Sequence, residues 1–175
     1  TFDHIHQMFY CAGAPLFFTM LGRPVTILFI FLSVEGFLHS KNTLRYLRNL
    51  LFGFWFMAIF SLWIQNAFPL DNVALMNSIF GTLFLTVLVV YALDKIIQGL
   101  KNRQWKDILV GFSVFLFLVV HQFFLLLVFN QIDFFMLRPT LLTFLLTVFP
   151  SFLMVESAPL IFAGPLFYLF RRRRL

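Results

Sequence analysis

The sequence predicts an all-α protein, a single transmembrane helix bundle of about six spans that covers residues 1–175. Two observations lead to this fold class. Apolar residues make up 61% of the chain and charged residues 11%, against about 25% in soluble domains. Eleven of the thirteen basic residues also fall into three clusters that alternate with long apolar runs. A soluble domain could not bury so much apolar surface.

The three basic clusters predict the topology, because short basic loops stay on the cytoplasmic side of a membrane. We therefore expect a multi-pass protein of the cytoplasmic membrane whose basic loops are cytoplasmic, with Arg23 and Arg138 on the far side. Anionic headgroups account for the net charge of +6, so no nucleic acid is expected as a partner. The clusters are Lys41, Arg45 and Arg48; Lys95, Lys101, Arg103 and Lys106; and Arg171 to Arg174.

Apolar runs of the length that a bilayer requires, about 20 residues, define the predicted helices. The chain has no initiator Met, and residues 1 to about 12 are expected to be the outer half of a first span whose inner half is missing, as in a piece of a longer protein. That helix leaves the cytoplasm. The next four spans then alternate in direction: 23–40 enters, 46–66 exits, 74–94 enters and 108–130 exits.

The segment 139–170 is too long for one straight span, since 32 residues give about 48 Å against a hydrocarbon core of about 30 Å. Pro150, Pro159, Pro165 and Glu156 interrupt it. We expect one broken or strongly bent crossing that enters the cytoplasm. Two crossings are the alternative, and they would leave four arginines outside.

The basic connection 95–107 has two possible structures. It is either a solvated loop or a turn of interfacial helix that places apolar side chains in lipid. Those side chains are Ile96, Ile97, Leu100 and Trp105.

Ionisable residues at membrane depth are costly and often functional. Asp3 and His6 are three residues apart and share a helix face near the outer side, close to His4. A His near neutral pKa suits proton abstraction, and a carboxylate can orient its ring. The alternative is a helix-end His bonded to water. Arg23 either pairs with Asp3 or reaches the interface as an isolated Arg.

A second polar group is predicted at the inner end of the 23–40 span. Glu35 and His39 are four residues apart and share a face. Gly36 would let a backbone or a ligand approach closely. Arg45 and Arg48 share a face on the following helix, and with Lys41 they form a cationic entrance suited to phosphates, or else only a topology signal.

Two further features carry less information. His121 is expected to be a buried His that bonds to a neighbouring helix. The single Cys11 excludes an internal disulfide, and no Cys/His spacing predicts a metal site.

Three pieces of the first fifty residues form a pattern whose order and spacing are informative. They are DHIH at Asp3–His6, LGRP at Leu21–Pro24, and VEGFLHSKN at Val34–Asn42 followed by RYLRNL at Arg45–Leu50. In these pieces the chain resembles the TraX family of integral membrane acetyltransferases. His6 stands where that family often has Gly.

The resemblance implies transfer of an acetyl group from cytoplasmic acetyl-CoA to an extracytoplasmic acceptor, a pilin N-terminus or a similar amine or hydroxyl. It implies His4 as the base, assisted by Asp3 and Arg23. The residues implied to bind the cofactor are Glu35, His39, Lys41, Arg45 and Arg48.

Two other classes fit the same polar residues. One is a transporter or channel subunit with a buried polar path. The other is a non-catalytic assembly factor of a conjugation or secretion system.

Overall fold

The structure, a computed structural model, describes residues 17–67, 79–131, 149–152 and 158–172, and the regular elements in these ranges are all helical. The all-α class is thereby confirmed for this part of the chain, while the predicted half-span 1–12 lies outside it. The elements are α1 (Phe17–Leu38), α2 (Thr43–Ala67), α3 (Ile79–Asn102), α4 (Trp105–Gln131), a 3-10 helix (Ala158–Phe162) and α5 (Ala163–Arg172).

Two helices in the described part of the chain are long and apolar enough to cross a bilayer, Ile79–Asn102 and Trp105–Leu127. By length and composition they are candidate spans, which suggests that the protein associates with a membrane. They correspond to the predicted spans 74–94 and 108–130.

Helix α3 occupies the centre of the bundle. It packs against α1, α2, α4, α5 and the 3-10 helix. Its most deeply buried side chains include Leu85, Val87 and Val90, none of which has measurable exposure. The ring of Tyr91 meets the ring of Phe37 from α1 edge to face, with centroids 6.4 Å apart. Every other element is therefore positioned by its contact with α3.

The start of α1 differs from its prediction. The helix begins at Phe17, so Arg23 and Pro24 lie within it and not at its opening. The preceding residues, FFTMLG, are mostly apolar and continue the helix. Pro24 has no N–H to donate, and this removes one helical hydrogen bond at that point.

The predicted loop 95–107 is wrong, because α3 continues to Asn102 and α4 begins at Trp105. The charged and apolar residues of this segment are good helix formers. A helix can therefore continue past the end of its apolar run. The turn is closed by Arg103, whose φ of 54° is left-handed, and by the Gln104 N–H, which donates to the Gly99 carbonyl over 2.9 Å.

The side chains of this connection also depart from prediction. Ile96 and Ile97 do not face lipid as one alternative required; both are half-buried, and Ile96 lies against Gly111 of α4. Leu100 and Trp105 are exposed, as that alternative predicted.

The structure describes only residues 149–152 and 158–170 of the segment 139–170, so the expected single bent crossing stays a prediction. Residues 149–152 are not helical, and Pro150 and Ser151 are buried. Pro159 lies in the 3-10 helix, and Pro165 lies in the first turn of α5, where a missing N–H costs nothing. The remainder of this segment lies outside the described residues.

Polar contacts bring one end of each helix together. Arg171 near the end of α5 pairs with Glu35 near the end of α1, and Tyr168 of α5 bonds to Asp94 of α3. The short turns at 39–42 and 103–104 add the starts of α2 and α4 to the same end. We call this end of the bundle the polar end. It carries the described members of all three basic clusters.

Candidate functional site

The turn between α1 and α2 has a specific local structure. The side-chain oxygen of Asn42 accepts a hydrogen bond from the Arg45 N–H over 3.0 Å and so caps α2. The Ser40 hydroxyl donates to the Asn42 carbonyl over 3.1 Å. This capped turn presents Lys41, Arg45 and Arg48 at the surface, and all three are exposed.

Glu35 is the carboxylate at the centre of this site. One of its oxygens lies 3.1 Å from Nε of Arg171, and the other lies 3.5 Å from Nδ1 of His39. The same His39 nitrogen is 2.9 Å from the backbone carbonyl of Glu35. The predicted shared face of Glu35 and His39 is thus confirmed. The Glu35 side chain is 22% exposed, whereas that of His39 is 72% exposed, so the site opens on the His39 side.

The ion-pair partner of Glu35 is Arg171, which the sequence alone marked only as a topology signal. Neither Arg45, Arg48 nor Lys41 forms an ion pair with a carboxylate of the described chain. Their charges therefore remain available to an anion from solution.

Gly36 was expected to admit a backbone or a ligand, but the space beside it is filled by a side chain. The hydroxyl of Tyr46 occupies the space over Gly36, where an added Cβ would come within 2.9 Å of it. That hydroxyl donates to the Ser33 carbonyl over 3.2 Å. Gly36 thus allows a contact between α1 and α2, and this contact aligns the residues that follow it in both helices.

A second carboxyl group lies at the polar end and was not singled out from the sequence. Asp94 accepts a hydrogen bond of 2.5 Å from the Tyr168 hydroxyl and one of 2.6 Å from the Gln98 amide. The i, i+4 spacing of Asp94 and Gln98 at the end of an apolar run was the available signal. The long-range partner Tyr168 gave none.

Helix α5 connects the two carboxyl groups. Tyr168 and Arg171 are three residues apart, so they lie on neighbouring parts of one helix face. One bonds to Asp94 of α3 and the other to Glu35 of α1. The orientation of Glu35 therefore depends on how α5 packs.

The outer group of predicted site residues falls mostly outside the part of the chain that the structure describes. Asp3 and His4, together with His6, lie outside the described residues. Arg23 lies on α1, twelve residues before Glu35, and nothing further is described of its side chain. Twelve residues of helix correspond to about 18 Å.

His121 has a different environment from the predicted one. Its ring stacks on Phe117 at 6.0 Å and meets Phe149 at 5.0 Å. Its polar contact is to the adjacent Gln122 on its own helix, at 3.3 Å. Gln122 in turn accepts a 2.8 Å hydrogen bond from Ser151, so Gln122 makes the long-range bond that was expected of His121.

Within the described ranges, no group of three or more His, Cys, Asp or Glu side chains is placed to hold a metal ion. No protein-family model, curated protein or solved structure matches this chain. The resemblance to the TraX family, which rests on three short pieces of sequence, stays a prediction.

Proposed function

We propose that this chain is an integral membrane acetyltransferase, which moves an acetyl group from cytoplasmic acetyl-CoA to an amine or hydroxyl acceptor on the other side of the membrane. One observation carries the proposal. A half-buried carboxylate, Glu35, is held by Arg171 and His39 at the edge of a surface that contains three further exposed cations.

The charge around Glu35 is the first feature that supports this proposal. Lys41, Arg45 and Arg48 add three positive charges close to the turn that follows Glu35, and no described carboxylate neutralises them. Guanidinium groups bind phosphate oxygens through charge-assisted hydrogen bonds. Coenzyme A carries a diphosphate and a 3′-phosphate, so this surface fits the charged part of the cofactor.

The second step concerns the role of Glu35 itself. A carboxylate would repel phosphates if it were free. Paired with Arg171, it instead fixes the position of a guanidinium, whose Nε it contacts at 3.1 Å. We therefore add Arg171 to the proposed cofactor-binding residues and assign Glu35 to positioning Arg171 and His39.

The third step concerns the chemistry. The acceptor nitrogen or oxygen attacks the thioester carbonyl carbon, the carbon–sulfur bond breaks, and coenzyme A leaves as the thiol after taking up a proton. His4 would remove the proton of the acceptor, with Asp3 orienting its ring. Arg23 would stabilise the oxyanion or hold Asp3. The 18 Å or so of helix between Arg23 and Glu35 is comparable to the reach of a pantetheine arm.

Binding of coenzyme A to purified protein in detergent tests the entrance. The variant Lys41→Gln/Arg45→Gln/Arg48→Gln should bind it at least about tenfold more weakly, a loss of about 1.4 kcal/mol. The matched control is Lys101→Gln/Arg103→Gln/Lys106→Gln, which removes the same charge from the other helical hairpin. Equal weakening in both variants would mean that only the total charge matters, and this would remove the proposed entrance.

Acetyl transfer tests the catalytic residue. His4→Ala should bind coenzyme A normally but lose transfer from radiolabelled acetyl-CoA to a peptide with a free N-terminus. A variant that transfers at the normal rate would refute His4 as base.

The transporter hypothesis has one supporting observation of its own, the partly buried Asp94 bonded to Tyr168. Ion flux in liposomes that is lost in Asp94→Asn, in a protein that does not bind coenzyme A, would favour it over the enzyme. If neither binding nor flux were found, the assembly-factor hypothesis would be the one to retain.

A further inference from the structure

A long apolar stripe runs along the outer face of α4. Its members recur every three or four residues, so they lie on one side of the helix. Each is between 55% and 76% exposed, although each is large and apolar. The stripe consists of Trp105, Leu109, Phe112, Leu116, Val120, Phe123 and Leu127.

The dimensions of this stripe match a bilayer. From Trp105 to Leu127 the helix rises about 33 Å, against a hydrocarbon core of about 30 Å. The opposite side of α4 contacts protein, since Gly111, Leu118 and Leu125 are buried at seven-residue intervals. An added Cβ at Gly111 would lie 2.6 Å from the Ala92 carbonyl oxygen of α3.

This division of α4 distinguishes lipid from a second protein copy as the occupant of the stripe. Helices that associate within membranes do so through small residues that let backbones approach. On α4 the small residue Gly111 faces α3, while the stripe holds only bulky side chains. The stripe is therefore shaped for acyl chains.

Positive charge is concentrated at one end of the stripe. Lys101, Arg103 and Lys106 are all exposed and surround Trp105 at the α3–α4 turn. The nearby carboxylate, Asp107, is bound to Lys95 at 3.0 Å, and none of the three cations forms an ion pair with a carboxylate of the described residues. Backbone hydrogen bonds define the turn: the Gln104 N–H donates to the Gly99 carbonyl, and the Ile108 N–H donates to the Gln104 carbonyl.

We infer that this turn is a binding site for an anionic phospholipid, with the headgroup phosphate on Lys101, Arg103 and Lys106 and the acyl chains along the α4 stripe. Trp105 lies where chain and headgroup meet, a position in which indole rings are enriched. The site is separate from the Glu35 cluster and does not depend on the proposed acetyl transfer.

The test uses Trp105 as a probe. The substitutions Trp55→Phe and Trp63→Phe leave it as the only one of three tryptophans. The protein is placed in vesicles of phosphatidylcholine with one-fifth phosphatidylglycerol, and either lipid carries brominated chains that quench indole fluorescence. We expect phosphatidylglycerol to bind next to Trp105 in preference to phosphatidylcholine with a relative association constant of about five, from the usual strength of one basic contact to an anionic surface. This constant is called the enrichment below.

Matched variants decide between a local site and general attraction. Lys101→Gln/Arg103→Gln/Lys106→Gln should reduce the enrichment to about one, while Lys41→Gln/Arg45→Gln/Arg48→Gln should leave it unchanged. An equal loss of enrichment in both variants would show that the lipid is attracted to the polar end as a whole. That result would overturn the proposed binding site. If the variant Lys101→Gln/Arg103→Gln/Lys106→Gln does not fold, the unsubstituted charges can be tested with salt. About 0.5 M salt must then reduce the enrichment, because screening weakens exposed charge contacts.

Two other outcomes would overturn the proposal. If neither brominated lipid quenches Trp105, the stripe is covered by protein, and crosslinking between copies would then identify a dimer. If soluble glycerol phosphate abolishes the preference, the turn binds a free phosphate and not a lipid.

Discussion

Helices α3 and α4 are neighbours of similar length, but their surroundings are opposite. In α3, 61% of the apolar window is buried within the protein, whereas in α4 the figure is 17%. Yet α4 is the more apolar of the two. Soluble proteins show the reverse order, because their most apolar helices are placed inside. The comparison indicates that α3 is stabilised by its neighbours, while α4 leaves most of its apolar surface uncovered by the protein.

Residue size explains how α3 can be surrounded. Gly81, Thr82 and Thr86 give it a narrow side, and the Thr86 hydroxyl returns to the Thr82 carbonyl over 2.8 Å without needing a distant partner. Gly164 of α5 lies against Thr86, where an added Cβ would come within 2.1 Å of the Thr86 methyl group. Small residues therefore decide which helix is central.

The largest expected effect on stability comes from comparing a Leu→Ala substitution in α3 with one in α4. Leu85 of α3 has no exposure, so Leu85→Ala should leave a cavity and destabilise the protein by about 2–5 kcal/mol. Leu116 of α4 is 55% exposed, and Leu116→Ala should cost less than about 1 kcal/mol, since lipid or detergent fills the space. Unfolding in mixed micelles with increasing dodecyl sulfate, followed by helical circular dichroism, measures both. Equal losses would show that the outer face of α4 is covered by protein.

The sequence predicted the long helices well because their signal is local. Runs of apolar residues are visible without a structure, and α2 to α4 begin or end within a few residues of the expected positions except at the α3–α4 turn. Which helix is central was not predictable. Both candidate spans are apolar in sequence, and the difference depends on contacts such as those of Gly81 with Phe54 and Pro150, which lie far along the chain.

The second expected effect concerns the contact between the two helices. Gly111→Ala places a Cβ at 2.6 Å from the Ala92 carbonyl oxygen, a backbone atom that cannot move aside by itself. Such overpacking costs about 1–3 kcal/mol. The control Ser113→Ala, at an exposed position of the same helix, should change stability by less than about 0.5 kcal/mol. If Gly111→Ala stabilised the protein, the close approach of α3 and α4 would be refuted.

The contacts of the candidate site were also predictable only where they are local in the sequence. The pairing of Glu35 with His39 follows from i, i+4 spacing and was predicted. The pairing of Glu35 with Arg171 joins residues more than 130 positions apart, and only the packing of α5 on α1 creates it. Residues from Asp3 to His6, on which the catalytic prediction depends, lie outside the described residues, so that prediction stays open to the His4→Ala experiment.

The smallest expected effect is the loss of a single hydrogen bond. It compares a bond to the central helix α3 with a bond between α1 and α2. Tyr168→Phe keeps the ring, which is 1% exposed, and removes a 2.5 Å hydrogen bond to the Asp94 carboxyl group. Tyr46→Phe removes a longer bond of 3.2 Å to the Ser33 carbonyl. We expect a loss of about 1 kcal/mol for the first and about half of that for the second, within the range for hydrogen bonds between membrane helices. Dodecyl sulfate unfolding again measures both.

The order of these two losses matters more than their size. The Tyr168 bond joins α5 to the central helix, and its acceptor is a carboxyl group in a part-buried place. If α3 is held by its neighbours, breaking this bond should also loosen α5 from α1, where Phe167 contacts Phe31. The accessibility of a Phe167→Cys thiol, in a protein with Cys11→Ser, would report this in the Tyr168→Phe background. Tyr46→Phe should leave that accessibility unchanged, because its bond joins α1 to α2 alone. A greater loss for Tyr46→Phe would place the stabilising polar contact at the α1–α2 hairpin and not at the centre of the bundle.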